Sequence, residues 1–228
     1  MFGDIAPRYD LLNHLLSFSI DRYWRRRVLT KLRQRLDKGA LVLDLCTGTG
    51  DLALVLASHY RVVGSDFAHP MLVLAREKTR KKRPEINLCE GDALALPFDE
   101  AVFGAVTIAF GLRNLADYSA GLAEMHRVLR PGGWLAVLEF SKPKLRVYRE
   151  MYLFYFSRVL PKVGELISGR TGAYSYLYQS VSEFLDEEQM QKLLMQAGFE
   201  CPRQFRLAGG IATLHLSAKP AATTGARF

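Results

Sequence analysis

Apolar positions recur along this chain with two different periods. Before Gly39 they fall at helical spacing, which predicts helices over Ile5 to Ser17 and Asp21 to Leu36. After Gly39 short apolar runs alternate with helix-spaced segments. Leu41 to Leu45 (LVLDL) is a continuous apolar run and reads as a buried strand. A helix is expected over Leu52 to Ser58 and a strand over Arg61 to Ser65. The next helix starts near Pro70, whose missing N–H costs nothing in a first turn. Strands follow at Ile86 to Glu90 and Val102 to Ala109. A helix over Tyr118 to Leu129 should stop at Pro131-Gly132-Gly133, and Trp134 to Phe140 forms the next strand.

Continuous apolar strands separated by helices imply an α/β domain with a parallel sheet covered on both faces. The end of the chain differs. Phe205 to Leu207 and Ile211 to Ala218 flank Ala208-Gly209-Gly210, which predicts a hairpin closing one edge. Between these regions, Leu145 to Gly169 is rich in Tyr, Phe and Leu and is broken by Pro161. No internal repeat or low-complexity linker is visible. Residues from Pro220 onward read as a frayed tail.

Composition narrows the class. A length of 228 residues suits one domain with a full core. Cys46, Cys89 and Cys201 are far apart and form no C-x-x-C pair, so neither a structural zinc site nor a disulfide framework is expected, and a reducing cytosol fits. Met1 to Asp10 mixes acid, base and proline, unlike a signal peptide. No uncharged apolar run reaches the roughly 18 to 20 residues that cross a bilayer. The formal net charge of +8 is concentrated at Arg22, Arg25, Arg26 and Arg27 and again at Arg76, Lys78, Arg80, Lys81, Lys82 and Arg83. Solvated helix faces, anionic lipid headgroups and nucleic acid are the readings, in that order.

The densest chemical signal is LDLCTGTGDL, Leu43 to Leu52. A strand runs into Gly48-Thr49-Gly50, where missing side chains let a ligand lie against the backbone. Dinucleotide enzymes share such a turn but use G-x-G-x-x-G, and here Ala53 stands at the third glycine. Asp66 ends the next strand and can accept both hydroxyls of a ribose, each charge-assisted bond contributing about 1.5 to 3 kcal/mol. The competing reading is a surface turn aspartate. In EGDALALPF, Glu90 to Phe98, Asp92 can accept from an adenine amino group and Ala93 leaves room for the ring. Asp44 is placed to meet the amino end of the cofactor. Thr47 and Thr49 add hydroxyl contacts or simply shape the turn. Phe67, Met71, Ala109 and Phe110 complete the candidate cofactor set.

The order of glycine loop, ribose acid, Gly-Asp-Ala and Leu-Arg-Pro-Gly-Gly resembles the class I SAM-dependent methyltransferases. That resemblance implies a Rossmann-like, mostly parallel seven-stranded sheet with an antiparallel edge hairpin, and S-adenosylmethionine (SAM) as cofactor. Ile5 to Arg25 (IAPRYDLLNHLLSFSIDRYWR), Ile108 to Asn114 (IAFGLRN), Arg127 to Pro143 (RVLRPGGWLAVLEFSKP) and Ala173 to Ser180 (AYSYLYQS) further resemble the UbiE/MenG family. The resemblance spans roughly residues 2 to 218. It implies C-methylation of a prenylated quinol, first demethylmenaquinol to menaquinol, alternatively the benzoquinol precursor of ubiquinone. It also implies a helical lid at 1–38, a SAM-binding core at 39–143, a substrate- and membrane-facing helical insert at 144–185, a C-terminal helix and hairpin at 186–219 and a tail at 220–228. Ala109 departs from relatives that carry serine there, which removes a hydroxyl contact.

A quinol carbon becomes nucleophilic when the neighbouring hydroxyl, of pKa about 10, loses its proton. The carbon must then lie roughly 3 Å from the methyl. Stabilising the oxyanion falls to Arg113, or Arg113 forms a buried ion pair that organises its loop. Asn114 holds a substrate oxygen or caps a turn. Tyr9, Asp10 and Asn13 lie in the lid, where Tyr9 reaches cofactor or quinol and Asp10 orients it, or all three cap and pack. His126 is mid-helix and reads as structural, and His14 is a minor candidate. Trp24, Tyr152, Phe154, Tyr155 and Phe156 read as core or as a substrate box. A SAM methyl is already activated, so no metal is expected. The AFGLRN loop has neither motif of nucleic-acid methyltransferases, so nucleic acid is not an expected partner. A prenyl tail, at about 0.8 kcal/mol per buried CH₂, stays in the bilayer. The implied location is therefore the cytoplasm at the inner membrane face, on anionic lipid, as monomer or homodimer. Tyr148 to Leu160 with Arg146, Arg149, Arg158 and Lys162 is the candidate interfacial helix, and core packing is its alternative.

Overall fold

In a computed structural model, residues 19–83, 85–144 and 179–222 are described, together with the isolated positions 150, 154 and 158. The expected first helix, with Tyr9, Asp10, Asn13 and His14, lies outside the described residues. So do Tyr152, Tyr155 and Phe156, the rest of the candidate interfacial helix apart from those isolated positions, and most of AYSYLYQS.

Helix α1 spans Ile20–Leu32, β1 Leu41–Leu45, α2 Asp51–Leu56, β2 Arg61–Asp66, α3 His69–Lys82, β3 Asn87–Glu90 and β4 Phe103–Ala109. A 3₁₀ turn follows at Leu112–Asn114, then α4 Tyr118–Val128, β5 Leu129–Phe140, α5 Glu187–Gln196, β6 Glu200–Leu207 and β7 Ala212–Ala218. The strands form one seven-stranded sheet in the order β3-β2-β1-β4-β5-β7-β6. All pairs from β3 to β5 are parallel, and β7 runs antiparallel to both β5 and β6. The chain steps outward from β1 through β2 to β3 and returns to β4 on the other side. That reversal opens a crevice at the carboxyl ends of β1 and β4.

Alternate residues of each strand enter two cores. On one face Val42, Ala105, Ala136, Leu138, Leu214 and Leu216 pack with Trp24, Val28 and Leu32 of α1 and with α2. On the other face Leu43, Leu45, Val106, Ile108, Leu135 and Val137 meet Leu122 and Met125 of α4 and Met190 and Leu194 of α5. Two-sided burial is why these strands read as unbroken apolar runs. Helix α5 starts on a capping box in which Asp186 and Gln189 satisfy each other's backbone.

Three boundaries differ from expectation by more than two residues. Helix α1 ends at Leu32, and residues to Leu36 continue as tight turns on the Leu32 carbonyl. Strand β5 begins at Leu129, not Trp134, because Arg130 to Gly133 form a bulge: Leu129 pairs with Phe103 and Trp134 with Ala105. A Cβ at Gly133 would meet the Arg130 carbonyl at 2.8 Å, and Gly132 has φ 73°, so glycines let the ladder pass through the breaker. Lys219 N–H donates to the Gly133 carbonyl at 2.8 Å and fastens the bulge to the end of β7. Strand β6 starts at Glu200, earlier than Phe205, because its backbone pairs with β7 although Arg203, Gln204 and Arg206 give it no apolar signal.

Candidate active site

The crevice holds a cavity of about 310 Å³, at the lower end of the range typical of small-molecule sites. Its first wall is the turn after β1. Cys46 and Gly48 both adopt left-handed backbone, with φ of 50° and 56°. A Cβ at Gly48 would meet nothing within 4 Å, so its backbone faces open space that a ligand can occupy. Gly50 (φ 83°) is the N-cap of α2, and its Cβ would press on Thr79 of α3 at 3.3 Å. Gly50 therefore serves the approach of two helices and does not face the cavity.

Asp66 anchors that turn. Its Oδ2 accepts from Gly48 N–H at 2.8 Å and its Oδ1 from Ala68 N–H at 2.9 Å. Burial raises its pKa, while the backbone donors of Ala68, Gly48 and Phe67 oppose the rise. A carboxylate accepts about four hydrogen bonds, so capacity remains for a ligand hydroxyl. Along the same rim Phe67 is 74 % exposed, while Met71 is buried in the wall. Asp92 Oδ1 accepts from Leu94 N–H at 2.9 Å, and Asp92 and buried Ala93 both line the cavity. Gly91 keeps this turn tight, since a Cβ there would meet Ser65 Oγ at 2.9 Å.

Asp44, Thr47 and Thr49 lie off the cavity wall, which corrects their expected direct contacts. Asp44 is 1 % exposed, and its two oxygens accept from Thr47 Oγ1 and Thr107 Oγ1, each at 2.7 Å. Burial raises its pKa to about 6 against the pull of both threonines. Thr49 Oγ1 accepts from Lys78 Nζ at 3.1 Å, and the same ammonium holds Asp51 at 2.6 Å, tying α3 to the start of α2.

The opposite wall is the loop after β4, with Ala109, Phe110, Gly111 and Asn114 on the cavity. Phe110 has φ 58°, a strained value for a bulky residue. A Cβ at Gly111 would lie 2.5 Å from the Cys46 Cβ, so glycine is obligatory where the two loops of the cavity touch. Arg113 is not among the described residues of the wall. Its Nη1 donates to Glu139 Oε2 at 2.9 Å and to the Phe110 carbonyl, with the two side chains 5 % and 1 % exposed. Its guanidinium lies 5.5 Å from the Phe140 ring centroid. The structure thus shows the ion pair, one of the two readings of Arg113: a desolvated guanidinium needs a carboxylate, and β5 supplies it. Asn114 Nδ2 lies 3.4 Å from the Phe110 carbonyl.

Cys46, Gly111 and Glu139 escaped the reading of the sequence. Glu139, an acid ending the apolar run LAVLEF, carried the one usable signal, because a buried acid on a strand needs a cationic partner. His126 meets Phe199 edge-on with centroids 5.1 Å apart, and burial lowers its pKa, as for a structural histidine. Trp24 is buried, with ring centroids 5.8 Å from Phe110 and 6.0 Å from Phe140.

A model of the ubiE/COQ5 methyltransferase family matches residues 1–219. A demethylmenaquinone methyltransferase of Thermus thermophilus is 50 % identical over 223 residues, covering 96 % of this chain and all of the relative. A ubiquinone/menaquinone biosynthesis C-methyltransferase of Citrifermentans bemidjiense is 48 % identical over 225 residues, covering 96 % of this chain and 94 % of the relative. Among solved structures, a SAM-dependent methyltransferase of Thermotoga maritima superposes with a TM-score of 0.66 at 18 % identity, covering 96 % of this chain and all of that one. At that identity the likeness concerns the fold.

Proposed function

Because the chain belongs to the ubiE/COQ5 methyltransferase family, we propose that it C-methylates the ring of a prenylated quinol with SAM as donor, first demethylmenaquinol to menaquinol. The observation that carries this reading is the 50 % identity to a demethylmenaquinone methyltransferase across 96 % of the chain. When bound, SAM supplies a methyl group already activated on a sulfonium, so the chemistry calls for no metal.

The residues present suit that cofactor. Asp66 keeps acceptor capacity for a ribose hydroxyl, Gly48 offers bare backbone, and Asp92 and Ala93 line the same cavity, where the base can sit. On the acceptor side Asn114 presents an amide to the quinol oxygen, whose proton must leave before the ring carbon attacks. Arg113 and Glu139 act one step back: they hold the Phe110 carbonyl and so set the angle of the loop bearing Asn114. Enclosure favours the reaction, since a quinolate kept from water alkylates instead of reprotonating.

The prenyl tail keeps the substrate in a bilayer, so we place the working enzyme on the inner membrane face. The test is methyl transfer by the purified protein to demethylmenaquinol and, separately, to the demethylated benzoquinol, read by mass. Transfer to the naphthoquinol alone supports the reading. Transfer to the benzoquinol alone moves the enzyme to ubiquinone synthesis, and transfer to neither ends the proposal.

A further inference from the structure

Helix α1 carries a cationic ridge that neither the cofactor cavity nor the core uses. Tyr23, Arg27, Lys31 and Arg35 succeed one another at four-residue spacing, so they climb one side of the helix and the turn after it. Arg203 joins them from the edge strand. It pairs with Leu216, and Phe205 pairs with Leu214, so both side chains emerge on the sheet face that α1 covers. Lys31 Nζ lies 3.9 Å from the centroid of the Phe205 ring, and the Arg35 guanidinium lies 5.1 Å from that of Trp134. The cations are thus seated on rings along the seam between α1 and the sheet edge.

None of Arg27, Lys31, Arg35 and Arg203 has an acidic partner among the described residues. Asp21, the acid of α1, is held by Arg25. Arg27 Nε is buried without a hydrogen-bond partner. Burial lowers the pKa of Lys31 first, and Arg27, Arg35 and Arg203 lower it further, as like charges do at close range. Four cations gathered with no carboxylate beside them among the described residues form a surface suited to an external anion.

Two observations identify that anion. At the N-terminal end of the ridge Tyr23 is 51 % exposed and Ile20 37 %, so basic and apolar-aromatic groups share one helix surface, the composition of an interfacial segment. The aromatic faces beneath the cations are already covered by Lys31 and Arg35, which leaves them no room to stack bases as single-stranded nucleic acid requires. We propose that the outer ridge of α1, with Arg203 of β6, docks the protein on the phosphate headgroups of an anionic bilayer. The same helix reaches the cavity from its inner side, where Trp24 packs on Phe110. The choice of lipid as the anion rests on the tailed substrate proposed above.

The experiment compares the wild-type full chain, Lys31→Gln/Arg203→Gln and Lys31→Glu/Arg203→Glu on vesicles of phosphatidylcholine with and without phosphatidylserine. Circular dichroism and SAM affinity serve as checks of folding. Each cation near an anionic surface is worth about 5-fold in partitioning, from about 1 kcal/mol. The neutral double variant is expected to bind phosphatidylserine vesicles roughly 25-fold less well, the reversed one less still, and added salt should weaken the wild type. Wild-type-like partitioning of a folded double variant overturns the proposal, as does equal binding to both vesicle types. Retention of RNA, lost in the variants, without vesicle binding replaces lipid by nucleic acid. Turnover of a tail-less, soluble demethylated quinol should be equal in all three proteins. If the wild type fails on that substrate while docking follows the charges, the quinol reading falls and the docking surface stands.

Discussion

At the scale of single residues, the two aspartates of the cofactor region do opposite jobs. Asp66 stands on the cavity wall and accepts from the Gly48 and Ala68 backbone, so it organises the Gly48 turn and still has capacity for a ligand. Asp44 lies under the turn with both oxygens taken by threonines. Asp66→Ala should therefore weaken SAM binding by roughly 10- to 150-fold, from about 1.5 to 3 kcal/mol for charge-assisted bonds, and calorimetry reads this directly. Unchanged affinity would remove the ribose assignment. Asp44→Asn should change affinity far less, because its amide can still accept from one threonine. An equal loss in both variants would place Asp44 in contact with the cofactor.

At the scale of elements, the loop between β4 and α4 is built by a strand that is not its neighbour in sequence. Glu139 of β5 fixes Arg113, Arg113 fixes the Phe110 carbonyl, and Gly111 fits only because it has no Cβ against Cys46. Glu139→Ala strands a buried guanidinium and should cost about 3 to 5 kcal/mol of stability. Arg113→Met combined with Glu139→Leu should recover most of that loss in urea denaturation, because a well-packed apolar pair often equals a buried ion pair. Its turnover should stay low, since the Phe110 carbonyl loses its donor. Wild-type turnover in the apolar pair would end the positioning role. These partners also mark where the sequence is legible. Strands buried on both faces, such as LVLDL and VTIA, announce themselves, and so do a bare glycine turn and acids at strand ends such as Asp66 and Asp92. Strand β6 does not, because its identity lies in backbone pairing with β7. Nor do the bulge at Arg130 to Gly133 and the Arg113–Glu139 pair, which depend on register between strands. Asp44 looked like a ligand because strand-end position alone does not say whether a side chain turns toward the cavity or beneath it.

At the scale of the whole molecule, two buried groups set opposing responses to acid. Burial holds Asp44 at about 6, above its unfolded value near 3.8. The native state therefore binds its proton first, and the associated stability is full below about pH 4 and lost as pH rises through 6. His215 of β7 is 5 % exposed, its Nδ1 has no hydrogen-bond partner among the described residues, and burial lowers its pKa to about 4. Here the unfolded chain binds the proton first, so stability is full above about pH 6.5 and lost as pH falls toward 4. Each group is worth about 3 kcal/mol over its window, at 1.36 kcal/mol per unit. Between pH 4 and 6 the two largely cancel. Glu187, lowered to about 2 by Arg206 above all, begins to lose its contribution as pH falls past its unfolded value of 4.5, so most of that loss lies below this window, while Asp66 adds to the effect of Asp44. Strands β1 and β7 are separated by β4 and β5, about 14 Å at the usual strand spacing, so the two effects should add. Urea denaturation at pH 4, 5, 6 and 7 separates them. The wild type should change little across the series from these groups. Asp44→Asn should lose stability steeply on acidification, and His215→Gln should gain it. Parallel curves for all three proteins would mean that neither burial governs the acid response, and that the charge excess of the surface sets it instead.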